Sequence, residues 1–260
     1  MRVIPFLLAC ACTSQNAIVI ATHDGSAADF SPQAAMDLPA DATSMLFSDY
    51  FGGGYEVNWQ SPGPNDGTVS DTQDGSNRTV TLDATKNDFT RLRTNLDSLY
   101  FTNTDIDASM LVRIDKATSS SSSKVRLDVR QSGDNIFYAV GATISSDGSM
   151  TRISIFKKVG DGTGNYTICE LAYGKFATPV AMNQWHTIRL TIAGTGTVHL
   201  AAYFEDAEMA TFDDDCVRTL TATDGATVPN GGCLADQTGL GIQVEDGVVA
   251  SVDDVVVTAP

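Results

Sequence analysis

The clearest chemistry-bearing pattern in the chain is the alternation Lys124-Val125-Arg126-Leu127-Asp128-Val129-Arg130. A period of two puts successive side chains on opposite faces of a strand, so Val125, Leu127 and Val129 form an apolar face and Lys124, Arg126, Asp128 and Arg130 a charged one. Arg113 and Tyr138, on neighbouring candidate strands, are candidates to join the charged face. Arginine offers paired donors to a carboxylate, so such a face suits uronate carboxylates or sugar hydroxyls. A solvated face carrying cross-strand charge pairs gives the same pattern. Two acidic groups stand out as well. Asp253 and Asp254 interrupt a run of valines, and Asp213-Asp214-Asp215 reads either as an exposed loop or as oxygen ligands for a hard cation.

Other chemistries find no carriers. The chain has five cysteines without C-x-x-C spacing and only three histidines, which makes a zinc site improbable. No serine lies in a nucleophile-elbow context. Acidic residues outnumber basic ones 32 to 16, a formal charge of −16 that argues against nucleic acid and against attraction to an anionic membrane surface. This acidity fits a solvated, salt-tolerant surface or local carboxylate clusters for calcium.

The beginning of the chain carries an address. Arg2 precedes an apolar run that ends in Leu7-Leu8-Ala9-Cys10, which resembles a bacterial lipobox. On that reading residues 1–9 are a signal segment, Cys10 is lipidated, and residues 10–42 form a flexible tether. Membrane contact is then through the N-terminal lipid anchor alone. Ala11 after the cysteine, by resemblance to enteric lipoproteins, implies an exported protein of the outer membrane or cell surface. The run is short, has one positive charge and contains Pro5, so an upstream start and an accidental apolar beginning are the alternatives. Export implies an oxidising compartment, where Cys216 and Cys233 would close a turn-rich loop as a disulfide. Cys169 falls in a candidate strand and reads as a buried thiol.

From residue 43 to 260 short β-patterned segments alternate with turn signals such as Asp147-Gly148 and Glu245-Asp246-Gly247. No amphipathic helix of three turns is evident. The expectation is an all-β, antiparallel two-sheet β-sandwich or jelly roll occupying 43–260. Trp59 and Trp185 are expected in its core.

The ordered set Leu46-Phe47-Ser48-Asp49-Tyr50-Phe51, Trp59, Ile136-Phe137-Tyr138, Gln184-Trp185-His186-Thr187-Ile188-Arg189-Leu190, Gly239-Leu240-Gly241 and Val252-Asp253-Asp254-Val255 resembles the concanavalin A-like lectin/glucanase superfamily, in particular laminin-G-like domains. The resemblance implies two curved sheets, first and last strands side by side, and glycan binding or cleavage on the concave sheet. If those strands pair, Asp49, Asp253 and Asp254 approach one another and a structural calcium ion would relieve their repulsion. Hydrogen-bonded aspartates at strand ends are the alternative.

The Glu-x-Asp-x-x-Glu motif of family 16 glycoside hydrolases is absent. Arg126-Leu127-Asp128-Val129-Arg130 and Phe156-Lys157-Lys158-Val159-Gly160 are faintly similar to two alginate-lyase motifs, without the His and Tyr that would carry acid/base chemistry. The expectation leans to a non-catalytic carbohydrate-binding or adhesive envelope lipoprotein whose partner is a glycan or polysaccharide. A hydrolase or lyase with an unrecognised site is the alternative, and a structural envelope protein the third.

Overall fold

The computed structural model describes residues 45–259 except 61, 64–65, 75–76, 95–104, 119–122, 133–135, 161–164 and 236. The signal segment, Cys10 and the tether lie outside the described residues. In chain order the strands are β1 (Met45–Asp49), β2 (Trp59–Gln60), β3 (Thr68–Asp74), β4 (Asn77–Asp83), β5 (Phe89–Thr94) and β6 (Ile106–Ala117). They continue with β7 (Ser123–Ser132), β8 (Ile136–Ile144), β9 (Met150–Gly160), β10 (Tyr166–Val180), β11 (His186–Ala193) and β12 (Val198–Phe204). The last are β13 (Ala207–Asp214), β14 (Leu220–Thr221), β15 (Thr227–Val228), β16 (Gly239–Glu245) and β17 (Val248–Thr258). Among the described residues no helix is long and apolar enough to cross a membrane.

The strands form two large antiparallel sheets, as the period-two pattern requires. One sheet runs β13-β12-β11-β6-β17-β4-β3, with β1 also paired to β17; the other runs β10-β9-β8-β7-β16-β5-β2. Apolar side chains at alternate positions meet between them. Val125, Leu127, Val140, Ile155 and Ile242 from the seven-stranded sheet join Met110, Val112, Leu190 and Val252 from the other in one buried cluster. This is the jelly-roll sandwich expected from the sequence.

The pairing of first and last strands is present. β1 aligns with β17, Asp49 opposite Val255. The aspartates that interrupt β17 form a β-bulge. On the β6 side the register passes from Asp253 opposite Leu111 to Val256 opposite Ser109, so β17 uses one extra residue. Asp254 takes φ 45°, a left-handed conformation that Asp tolerates better than a β-branched residue would. The bulge lets Val252 and Val255 both face the core, where each is fully buried. It also lies where the neighbour of β17 changes from β4 to β1.

Trp59 is in the core at 2% exposure, packed edge-on to Phe47. Trp185 is not. It is half-buried, and its ring lies 4.7 Å from the Arg113 guanidinium, on the sheet that holds β6. It precedes β11 rather than belonging to it, so strand alternation does not direct its ring inward.

Candidate functional site

β7 is the fourth strand of the seven-stranded sheet, with β8 on one side and β16 on the other. Its odd-numbered valines and Leu127 fill the sandwich, which turns Lys124, Arg126 and Asp128 to the opposite, outer face. On that face register sets the neighbours. Arg126 lies opposite Gly141 of β8 and Gln243 of β16; Asp128 lies opposite Ala139 and Gly241. Farther out, Phe156 of β9 aligns with Ala139, and Arg93 of β5 aligns with Gly241. Phe137, Ala139 and Phe156 make a small apolar cluster separate from the sandwich core.

Two glycines shape this face. A Cβ on Gly141 would sit 2.7 Å from Arg126 Cγ and 3.2 Å from Phe156 Cε2. A Cβ on Gly241 would sit 2.7 Å from Gln131 Oε1 and 3.3 Å from Asp128 Cβ. The missing side chains let Arg126 and Asp128 lie low over their neighbouring strands.

Arg126 is fully buried although it points away from the sandwich core. Its Nη1 donates to Glu245 Oε1, and its guanidinium lies 5.6 Å from the Phe137 ring and 6.0 Å from the Phe156 ring. Nε is 3.5 Å from Asp128 Oδ1 without hydrogen-bond geometry, and among the described residues Nη2 has no partner. A buried donor left unmade costs about 1–3 kcal/mol, more for a charged group. Asp128, 3% exposed, is pushed up to about 6, because burial disfavours its charge more than Arg126 and Lys158 favour it.

The surrounding charge is predominantly basic. Arg91, Arg93, Lys124, Arg126, Arg152 and Lys158 project from β5, β7 and β9 on outer-face positions, against Asp128, Glu170, Glu245 and Asp66, the last paired with Arg91 at 3.4 Å. Lys124 Nζ reaches Glu245 at 3.1 Å, and Arg152 reaches Glu170 at 3.2 Å while stacking on Tyr173 at 5.0 Å. Six of the chain's 16 basic residues thus gather on one sheet face of a protein with net charge −16.

Not every residue expected on the charged face is there. Arg130 takes φ 50° at a bulge between Val129 and Ser132, and its guanidinium turns to the Cys233 and Gly194 carbonyls, each at 3.5 Å. Tyr138 alternates inward between Phe137 and Ala139 and is fully buried in the core. Arg113 belongs to β6 of the other sheet, where its Nε donates to Asp115 at 2.6 Å. Strand alternation alone missed these because a bulge inverts it and because sheet membership is set by topology. Arg91 and Arg93 were legible as one face of Phe89-Thr90-Arg91-Leu92-Arg93, but their register with β16 was not.

The calcium expectation meets a different use of Asp49. Its Oδ1 accepts the Phe51 amide at 2.7 Å, and its Oδ2 accepts Asn58 Nδ2 at 3.1 Å and Trp59 Nε1 at 2.7 Å. Asp253 Oδ1 accepts the Asp254 amide at 2.9 Å. Among the described residues no group of three or more His, Cys, Asp or Glu side chains is placed to hold a metal ion. The alternative reading, hydrogen-bonded aspartates at strand ends, describes Asp49.

Asp213-Asp214-Asp215 is likewise not one exposed cluster. Asp214 is fully buried, and its cation is Lys157 of β9, with Nζ 2.7 Å from Oδ2. Tyr138 donates to the same oxygen at 2.6 Å, and Asn230 Nδ2 and the Cys216 amide donate to Oδ1 at 2.8 and 2.9 Å. Cys216 and Cys233 form the expected disulfide, and Cys169 is a buried free thiol. The Lys157 cluster therefore fastens the disulfide loop to the inner end of the sheet.

No protein-family model and no curated protein sequence matches the chain. Solved structures do. A Bacteroides ovatus mixed-linkage glucan GH16 protein in complex with a product aligns over 82% of this chain and 100% of its own, at 12% identity and TM-score 0.52. The carbohydrate esterase of the Shiga toxin-encoding bacteriophage phi24B aligns over 83% and 98%, at 14% identity and TM-score 0.50. The carbohydrate-binding module CBM66 from Bacillus subtilis aligns over 78% and 96%, at 15% identity and TM-score 0.49. At such identities the likeness speaks to fold alone, and in fold this chain is an antiparallel two-sheet jelly-roll sandwich.

Proposed function

We propose that the outer face of the seven-stranded sheet binds an anionic glycan, a polysaccharide bearing carboxylates, without cleaving it. The observation that carries this reading is Arg126, a fully buried guanidinium whose Nη2 has no partner among the described residues, set low over Gly141 among further basic side chains. Arg126 is closed off as it stands, so a carboxylate reaches Nη2 only when the side chains over it move aside; there it supplies the missing acceptor in a site where charge-assisted hydrogen bonds are strong. Phe137 and Phe156, themselves buried, pack against the Arg126 guanidinium and close its apolar side. The names of the aligned proteins, a mixed-linkage glucan GH16 and a carbohydrate esterase, agree with a carbohydrate ligand of either charge. The N-terminal run ending in Cys10 supports display of the domain on a bacterial envelope as a lipoprotein.

A glycan array that includes polyuronates and neutral β-glucans tests the reading. Binding confined to the acidic polymers is expected; retention of neutral glucans alone, or of nothing, overturns it. A polysaccharide-cleaving enzyme is the second reading, and Asp128 favours it: a buried carboxyl pushed up to about 6 is suited to general acid work. Release of reducing ends or unsaturated uronates, abolished by Asp128→Asn, would replace the first reading with the second.

A further inference from the structure

The Lys157 cluster holds more than an ion pair. Lys157 Nζ donates to Asp214 Oδ2 at 2.7 Å, to the Gly232 carbonyl at 2.6 Å and to Asn230 Oδ1 at 2.5 Å. The Asn230 amide nitrogen donates to Asp214 Oδ1 at 2.8 Å and to the Arg218 carbonyl at 3.2 Å. Because Asp214 and the Arg218 carbonyl can only accept there, the amide is oriented with its oxygen toward the lysine. One carboxylate thus bridges an amine and the nitrogen of a side-chain amide. With a C=O bond of about 1.2 Å, Asn230 Cγ is at most about 3.7 Å from Nζ, close to the separation of reacting atoms in a near-attack arrangement. Lys157 and Asp214 are fully buried and Asn230 is 4% exposed. The Tyr138 ring lies 5.0 Å from Nζ, and Tyr138 itself donates to Asp214.

From this geometry we infer that Lys157 and Asn230 join autocatalytically in an intramolecular isopeptide bond, with Asp214 as proton carrier. Asp214 Oδ2 takes one proton from the ammonium, leaving a neutral amine whose lone pair attacks Asn230 Cγ. The tetrahedral adduct passes a second Nζ proton through Asp214 to Nδ2. The Cγ–Nδ2 bond then breaks, the departing ammonia takes up the first proton that Asp214 still holds and leaves as ammonium, and the Nζ–Cγ amide remains. No oxidant, metal or co-reactant is consumed, and Asp214 ends as it began. Burial pushes the Lys157 ammonium below its usual value, which favours the neutral amine that the first step needs; against burial, the hydrogen bonds from Lys157, Tyr138 and Asn230 hold the Asp214 carboxyl below its own usual value, which opposes its taking the proton. The bond would tie β9 to the loop closed by Cys216–Cys233, across 73 residues of sequence.

The test is mass spectrometry of the purified full chain after disulfide reduction. Loss of ammonia is expected to make it about 17 Da lighter than its sequence. Trypsin should then fail to cut after Lys157 and should release a branched peptide containing Lys157 and Asn230. Because Asn230 precedes Gly231, cyclisation of its own side chain onto the next amide would lose the same mass. Lys157→Arg separates the two: the full mass is expected in that variant, as in Asp214→Ala. A wild-type chain of full mass overturns the inference even if neither variant folds. So do separate linear peptides carrying Lys157 and Asn230, or a mass loss that persists in Lys157→Arg.

Discussion

Asp128→Asn perturbs the candidate site with little change in shape. The wild-type carboxyl is raised from 3.8 to about 6, chiefly by burial. A raised acid binds its proton more tightly in the folded than in the unfolded protein. Its contribution to stability is therefore fully present below about pH 4 and is lost as pH rises through about 6. The difference amounts to about 3 kcal/mol at roughly 1.4 kcal/mol per tenfold change in acidity. Asparagine is neutral throughout and still offers an oxygen to Arg126, 3.5 Å away in the wild type. At about pH 7 the variant is expected to be more stable than the wild type by about 1–3 kcal/mol, an advantage that shrinks toward pH 4. Urea unfolding of both proteins across this range measures it. The difference curve cancels the other raised carboxyls, Asp49, Asp107 and Asp254. A variant less stable at neutral pH, or a flat difference curve, would show that the Arg126 ion pair outweighs burial and would refute the reasoning. The same protonation removes a negative charge from the basic face, so wild-type affinity for a polyuronate is expected to rise below about pH 6 and that of Asp128→Asn to stay level.

Gly141→Ala puts a methyl group 2.7 Å from Arg126 Cγ, 2.8 Å from the Val125 carbonyl and 3.2 Å from Phe156, and overpacking of this kind costs about 1–3 kcal/mol. Thermal melting should register that loss together with weakened glycan binding; a neutral effect on both means that Arg126 is free to move aside. Asp49→Ala leaves the Phe51 amide, Asn58 and Trp59 without their acceptor and is expected to destabilise by about 2–4 kcal/mol in chemical unfolding. A loss under 1 kcal/mol would show that water replaces the carboxylate readily. With those oxygens occupied, millimolar calcium is expected to leave the melting temperature of the wild type unchanged, whereas a rise of several degrees would support the calcium reading of Asp49, Asp253 and Asp254.

The sandwich was legible because Val125, Leu127 and Val129, and Leu240, Ile242 and Val244, alternate without interruption, and a strand with one buried face must do so. Cys216 and Cys233 were legible for a different reason, since the turn residues between them allow a short closed loop. The site was legible in part. Arg126 and Asp128 follow from alternation, but Arg130 does not, because it is itself the left-handed residue of a bulge, which turns its side chain off the face that alternation assigns it. Asp253 and Asp254 stood out in the sequence as carboxylates with chemistry to do; they mark the bulge where β17 exchanges one neighbour for another. Gly141 carried no signal as an isolated glycine in a strand, and Gly241 stood out only as part of Gly239-Leu240-Gly241. Their meaning depends on cross-strand register, which brings one beside Arg126 and the other beside Asp128. Lys157, Asp214 and Asn230 come together only through the packing of the disulfide loop on the sheet.

The central claim is that Arg126 waits for an anionic partner. Titration calorimetry of the full chain with an oligouronate and with a neutral oligoglucan, repeated for Arg126→Gln, measures this directly. The wild type is expected to bind the oligouronate and not the neutral sugar, and Arg126→Gln to weaken that binding at least about tenfold, the loss of one charge-assisted contact of about 1.5–3 kcal/mol. Equal affinity for both sugars, or an Arg126→Gln protein that folds and binds the oligouronate as tightly as the wild type, would contradict it.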